Sequence, residues 1–390
     1  MLDFHKLQGQ FRDFAGYRRD AEAKLRQQRA DGGQALRDCA SSWQAVSDDA
    51  QAAKLRMLVA RLREDPSVGY GCSPRPDFVT VVATDGSQIY PDRHIEPACY
   101  LLNVGCIAFQ YGTTEPPVMQ AAPSLRYRQQ DLLELQGDEA ESMLFDITTE
   151  VVSALRDEQE LHWLFETARD VRRSGRPILA MADGTLIRWM VRGMKNRRLE
   201  DRLLGRYLAI LDRFQDEGIP VCSYISMPGT NELVNLLRFA RGEDEANPAD
   251  DSLLGLLDRH VIEDTLAVGE RSGCVASGSH ILDEYGPHRI CAFYVRTGTD
   301  QTGGEVARVE LPEWVADQPE WVDLIHAVVL DQCQKGGGYP IILQEAHERA
   351  VVRQQEKALF YHILNRRMHH AGMATTGTSL KAASKRAPRV

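Results

Sequence analysis

The sequence predicts an α/β protein with a mixed central β-sheet flanked by helices and preceded by an N-terminal helical extension. Three observations carry that expectation. Short β-rich apolar runs alternate with stretches of helical periodicity. Those runs are apolar almost throughout, as strands buried on both faces should be. The first 66 residues show helical spacing instead, with stripes at Leu7, Phe11 and Phe14 and at Leu55, Leu58, Val59 and Leu62.

The elements follow in order. Residues 1–66 read as two helical arms broken at Asp31-Gly32-Gly33. After Pro66 and a turn-rich stretch, Phe78 to Ala83 reads as a buried strand and Tyr100 to Phe109 as its neighbour. A helix is expected over about 149–173, with Val152, Leu155, Leu164, Phe165, Ala168 and Val171 on its apolar side. Ile178 to Ala182 is a further strand, followed by a basic helix over about 197–216 and a strand over 220–225. Later strands fall at 288–296 and 304–311. Helices over about 230–240, 318–334 and 343–367 complete the set, the last two separated by Gly336-Gly337-Gly338-Tyr339-Pro340.

The chain has 390 residues, 43% hydrophobic and 26% charged, which is ordinary globular composition. No apolar run approaches the roughly 20 residues that span a bilayer. The opening MLDFHKLQGQFRDF lacks the basic-then-apolar order of a secretory leader, so a cytoplasmic protein without a membrane segment is expected. Eight cysteines are scattered without a CxxC pair, which argues against a zinc ribbon or a thioredoxin-like centre. The net charge of −10 works against phosphate binding. Its distribution is uneven, however. Arg188, Arg192, Lys195, Arg197, Arg198, Arg202 and Arg206 face only Glu200 and Asp201 over the same stretch, and the tail adds Lys381, Lys385, Arg386 and Arg389. Such clustering permits a local phosphate track on an acidic protein.

Two segments echo each other. Val81-Val82-Ala83-Thr84-Asp85-Gly86-Ser87 and Leu179-Ala180-Met181-Ala182-Asp183-Gly184-Thr185 each deliver an aspartate at the end of an apolar strand, then Gly, then a hydroxyl residue. Ligands bind at strand ends in open α/β sheets. If the strands are neighbours, the two carboxylates converge and need a cation between them, and oxygen donors suit Mg²⁺ or Mn²⁺. Read singly, Asp-Gly is also an ordinary turn signal. A third acid is available on the intervening helix, where Glu160 shares a face with Leu164 and Ala168; Glu158 and Glu166 are its rivals. His347, four residues after Leu343, is expected to point inward, and Tyr339 sits in a glycine-rich loop able to bend over a site.

The run Asp85-Gly86-Ser87-Gln88-Ile89-x-Pro91-Asp92-Arg93-His94 with Asn103-Val104-Gly105 resembles the opening motif of bacterial NurA nucleases. Ala182-Asp183-Gly184-Thr185-Leu186 resembles their second aspartate motif, with Thr where Ser is commoner. Gly338-Tyr339-Pro340 through Leu343-Gln344-Glu345-Ala346-His347 is similar to their C-terminal motif. Lesser likenesses lie at Tyr224-Ile225-Ser226-x-Pro228-Gly229 and Ala307-Arg308-Val309-Glu310-x-Pro312, and the resemblance spans about residues 78–387.

The resemblance implies an RNase H-like core, set at 67–371; the helical region at 1–66 matches nothing in the family, and the tail at 372–390 is expected to be flexible from its small, polar and basic composition. The resemblance further implies a homodimer, a HerA-type hexameric ATPase as partner, and DNA as substrate. The implied activity is Mn²⁺- or Mg²⁺-dependent, with two ions: 5′–3′ exonuclease and single-strand endonuclease action in the resection of double-strand breaks. Carried over by residue, Asp85, Glu160, Asp183 and His347 are metal ligands and Tyr339 an active-site partner; Glu160 is chosen because Arg156-Asp157-x-x-Glu160 looks most like the family's run. Arg188, Arg192, Lys195, Arg197 and Arg198 are the expected phosphate contacts beside Asp183. Two other readings are open: a non-catalytic adaptor docked on a hexameric ATPase, and a metal-dependent phosphatase.

Overall fold

The structure, a computed structural model, describes residues 3–53, 55–91, 99–127, 148–193, 197–243, 252–298 and 304–373. Lys195, the basic tail beyond 373, and the Asp92-Arg93-His94 part of the first motif lie outside these residues. The strands in chain order are β1 (Arg61–Leu62), β2 (Val79–Ile89), β3 (Tyr100–Tyr111), β4 (Val118–Arg126), β5 (Ile178–Asp183), β6 (Val221–Ile225), β7 (Val275–Ala276), β8 (Ile290–Thr297) and β9 (Glu305–Pro312). Two compact units emerge. One comprises Met1–Arg75, Gly184–Ile187 and Cys222–Tyr339; the other comprises Pro76–Asp183, Arg188–Val221 and Pro340–Val390.

In the second unit β2, β3 and β4 form an antiparallel meander. The chain then crosses through the helix Thr149–Val171 and returns as β5, parallel to β2 on its open side. The strand order β5-β2-β3-β4 makes a mixed sheet with the expected RNase H-like arrangement. Thr148 starts the crossover helix, its side chain accepting the N–H of Val151, and Glu150 places negative charge in the first turn. Val81, Val82, Ala83, Leu179, Ala180 and Met181 are fully buried, which is why these runs carry no polar alternation. Tyr100, Leu102, Val152, Leu155, Leu199 and Leu203 join the meander to its helices in one apolar cluster.

The first unit holds the N-terminal helices and the sheet order β1-β7-β8-β9-β6, whose described pairings are antiparallel. The expected break at Asp31-Gly32-Gly33 is absent: one helix runs from Gln8 to Cys39. Gly32 serves close packing instead, since a Cβ there would come within 2.7 Å of Leu256 and 2.9 Å of Val261.

The stripe Leu55, Leu58, Val59 and Leu62 is not helical: the second helix is Trp43–Ala52, and Leu62 lies in β1. Three further expectations are corrected. The helix foreseen at 343–367 is two helices, Ile341–Ala350 and Gln354–His370. The carbonyl of Ala350 accepts from Ser87 Oγ and from Asn103 Nδ2 at 2.7 Å, and residues 351–353 between the two helices are not helical. Strand β4 escapes the sequence pattern because it is an edge strand, largely exposed and interrupted by Pro123. Finally, Asp85 lies inside β2 and not at its end: the strand continues to Ile89, with Asp85 in register with Gly105 of β3.

Candidate active site

Parallel pairing of β2 and β5 brings the two echoed motifs together. The registered pairs run from Thr80 with Ile178 to Thr84 with Ala182. The next residue on each strand is an aspartate, Asp85 and Asp183, on chains about 4.8 Å apart. Equivalent positions on paired strands share a face. The motifs nevertheless turn differently. Gly184 adopts a φ of +74°, a left-handed conformation that ends β5 directly after Asp183, whereas β2 runs straight through Asp85-Gly86.

Alternation along β2 sends Asp85 and Ser87 to one face and Thr84 and Gly86 to the other. The helix Ile341–Ala350 covers the first face. Its backbone presses so closely on β3 that a Cβ on Gly105 would meet the Ala346 carbonyl at 2.5 Å. From this helix His347 Nδ1 reaches Asp85 Oδ2 at 2.7 Å, while Asp85 Oδ1 accepts the N–H of Gly86 at 2.8 Å. The inward orientation expected for His347 is corrected here. Leu343, Ala346 and Ala350 are the buried residues of this helix, and the His347 side chain is 63% exposed at its margin. Its approach to Asp85 is polar, not a matter of core packing.

The crossover helix covers the second face. Thr84 Oγ1 donates to the Glu160 carbonyl at 2.9 Å, and the Glu160 carboxylate lies where a side chain on Gly86 would be: a Cβ there would stand 2.3 Å from Oε1. Glycine at 86 therefore lets a helix glutamate reach β2 one residue from Asp85, on the face opposite the Asp85 side chain. The two rivals face elsewhere. Glu158 takes Arg206 at 2.7 Å, and Glu166 is bonded to Arg213 and Arg169. Burial pushes the Glu160 carboxyl well above the usual range; Asp157 and Asp85 raise it further, against the pull of Arg156 and Arg188.

The donor set of two aspartates, a glutamate and an imidazole fits Mn²⁺ or Mg²⁺ chemically. Glu160 Oε1 is buried and makes no hydrogen bond, and it faces Arg156 Nε at 2.9 Å in an ion pair. Of these donors, His347 and Asp85 are in direct contact. Among the described residues no three His, Cys, Asp or Glu side chains are placed to hold one ion together.

The other expected site residues have partners of their own. Tyr339 belongs to the first unit, where it packs edge-on against Tyr224 with ring centroids 5.4 Å apart. Arg188 and Arg192 are drawn into ion pairs, the former with Asp157 at 3.0 Å and the latter with Glu200 and Asp201 at 3.2 Å. Arg197 and Arg198 are exposed, and Arg197 pairs with Asp201 at 3.2 Å. Glu310, which the Ala307-to-Pro312 likeness includes without a role, is a further residue beside the second motif. Its Oε2 accepts from Thr185 Oγ1 at 2.8 Å and from the N–H of Leu186 at 2.9 Å, anchoring the turn that follows Asp183. The lone Arg308-x-Glu310 run was the available signal.

An RNase H-like sheet with carboxylates at adjacent positions of its parallel strand pair, β2 and β5, defines the class of protein. The NurA domain model matches residues 79–352, more than half of the chain, and the chain belongs to the NurA family. Among solved structures it is similar to the NurA nuclease from Sulfolobus solfataricus, at 13% identity over 94% of this chain and 95% of that one, with a TM-score of 0.52. That likeness shows the fold. A second NurA structure aligns at 12% identity over 82% and 94% of the two chains, TM-score 0.39. No curated protein matches the chain. No helix among the described residues is long and apolar enough to cross a membrane.

Proposed function

We propose that the chain is a metal-dependent deoxyribonuclease that hydrolyses phosphodiesters at Asp85 and Asp183. The observation that carries this reading is the register of β2 and β5, which leads to an aspartate at the same position on both strands. NurA family membership supports the nuclease class.

Asp85 and Asp183 would hold Mn²⁺ or Mg²⁺, with His347 at the edge of the set and Glu160 reaching in past Gly86 from the other face of β2. A bound cation supplies charge stabilisation at the phosphoryl oxygens and lowers the pKa of the attacking water. Asp85 orients the imidazole through Nδ1, leaving the exposed Nε2 to deliver a proton to the leaving 3′ oxygen. Arg197 and Arg198 contact backbone phosphates. The family supports finer proposals: 5′–3′ exonuclease and single-strand endonuclease action in end resection at double-strand breaks, a homodimeric state, and a HerA-type hexameric ATPase as partner.

End-labelled linear DNA incubated with Mn²⁺, with and without chelator, is the test. Progressive shortening that stops with chelator is expected, as is its loss in Asp85→Ala and Asp183→Ala proteins that retain their circular dichroism. Release of terminal phosphate without shortening would indicate a phosphatase, and an intact strand an adaptor. Appreciable cleavage by either variant overturns the assignment.

A further inference from the structure

Arg188 opens the basic run and lies five residues past Asp183, a position that suggests a contact to substrate phosphate. Its surroundings say otherwise. The side chain is only 15% exposed. Nη1 lies 3.0 Å from Asp157 Oδ2, Nη2 donates to the Tyr207 hydroxyl at 3.3 Å, and the guanidinium rests 4.7 Å from the centre of the Tyr207 ring. Both edges and one face of the fork are thus engaged inside the protein.

From Asp157 the contacts continue. Its Oδ1 accepts from Arg156 Nη2 at 2.9 Å. Arg156 Nη1 donates to Gln88 Oε1 of β2 at 3.2 Å, and its Nε lies 2.9 Å from Glu160 Oε1 in an ion pair. The result is a line of alternating charge, Arg188–Asp157–Arg156–Glu160, braced by Tyr207 at one end and by Gln88 of the aspartate strand at the other. A planar guanidinium with two fixed partners has little rotational freedom, so each member restricts the next. Glu160 stands at the end of the line, against Gly86.

We propose that Arg188 is a positioning residue: through Asp157 and Arg156 it sets the carboxylate of Glu160 against β2, and it makes no contact with nucleic-acid phosphate. A phosphate could reach the guanidinium only by displacing Asp157 or Tyr207. The inference rests on the nuclease reading for the role of Glu160.

Arg188→Lys, Arg188→Met and Asp157→Asn proteins separate the two roles. Three quantities are measured: Mn²⁺ binding by electron paramagnetic resonance without DNA, binding of a labelled oligonucleotide without metal over a salt series, and kcat and KM for cleavage. Loss of a supporting partner weakens metal binding by about 10- to 100-fold. All three variants should show a loss of this size, with kcat falling in step and KM within about threefold of wild type. Lysine should recover part of what methionine loses, since it retains the charge beside Asp157. The salt dependence of oligonucleotide binding should match wild type.

If Arg188 contacts phosphate, removing its charge lowers the slope of log K against log salt by about 0.9 and leaves Mn²⁺ binding intact; that outcome overturns the proposal. Should Arg188→Met fail to fold, Asp157→Asn decides, because it leaves the arginine charge in place. Normal Mn²⁺ binding there also overturns the proposal. A wild-type protein that neither binds Mn²⁺ nor cleaves DNA overturns the nuclease reading itself, and this inference with it.

Discussion

His347 Nδ1 stands 2.7 Å from Asp85 Oδ2, joining a helix to a strand 262 residues earlier in the chain. The imidazole is mostly exposed and the carboxylate mostly covered, with side-chain exposures of 63% and 18%. A contact of this kind adds little to stability. Its value lies in orienting the ring.

His347→Ala should therefore lower kcat on the order of a hundredfold, the usual contribution of a positioned proton-transfer group. Stability should change by less than about 1 kcal/mol, as for other exposed substitutions. Single-turnover cleavage and urea unfolding measure the two effects. An undiminished rate would remove His347 from the reaction.

Two glycines of the paired strands should respond in opposite ways to alanine. At Gly86 the added methyl meets the Glu160 carboxylate and the Arg156 chain, both of them side-chain atoms that can move. Gly86→Ala should reduce Mn²⁺ affinity about tenfold or more while the fold tolerates it. At Gly105 the methyl meets the backbone of Ala346, Arg349 and Ala350, which cannot yield without shifting the helix. Gly105→Ala should destabilise by about 1–3 kcal/mol. Equal thermal stabilities for the two variants would contradict these placements.

Glu160 makes the metal-free protein sensitive to alkali. Burial, with Asp157 and Asp85, raises its carboxyl pKa above the unfolded value. The protonated form is therefore favoured in the fold. Its contribution is complete below the ordinary carboxylate range and is lost as pH rises through the raised value. Glu160→Gln mimics the protonated acid, so its Tm advantage over wild type should grow between about pH 5 and about pH 9 in chelator. Mn²⁺ binding by the wild type should tighten over the same interval, since ligation requires the carboxylate. Calorimetry showing parallel pH profiles for the two proteins would sink the idea.

Arg308 and Glu310 form a buried pair at 3.0 Å, exposed by 1% and 2%, and Glu310 also holds Thr185 and Leu186. Removing either partner alone strands a charge, at a cost of about 3–5 kcal/mol. Arg308→Met combined with Glu310→Met should be less destabilising than the sum of the single changes. Because Thr185 follows Asp183-Gly184, Glu310→Met should also impair cleavage more than Arg308→Met. Additive unfolding energies would show that the two residues act independently.

Much of this was legible in the amino-acid order. Strands β2, β3 and β5 declare themselves because burial on both faces demands uninterrupted apolar runs. The echoed Asp-Gly motifs mark where those runs end in chemistry. Exposed and irregular parts were not legible. Strand β4 has the polarity of a surface, and Gly32 reads as a breaker because its neighbours Leu256 and Val261 lie far along the chain.

The sequence alone determined which residue types are present and on which elements: two strand-borne aspartates, a helix with three glutamates in reach, a histidine near the C-terminal end, and an arginine run. Only the tertiary structure decided among them. It turned Glu160 toward Gly86 and Glu158 and Glu166 toward arginines, brought His347 to Asp85, and drew Arg188 inward to Asp157. The physical reason is that helical and strand periods specify a face, whereas a side chain's partner depends on which distant segment covers that face and how closely its backbone can approach.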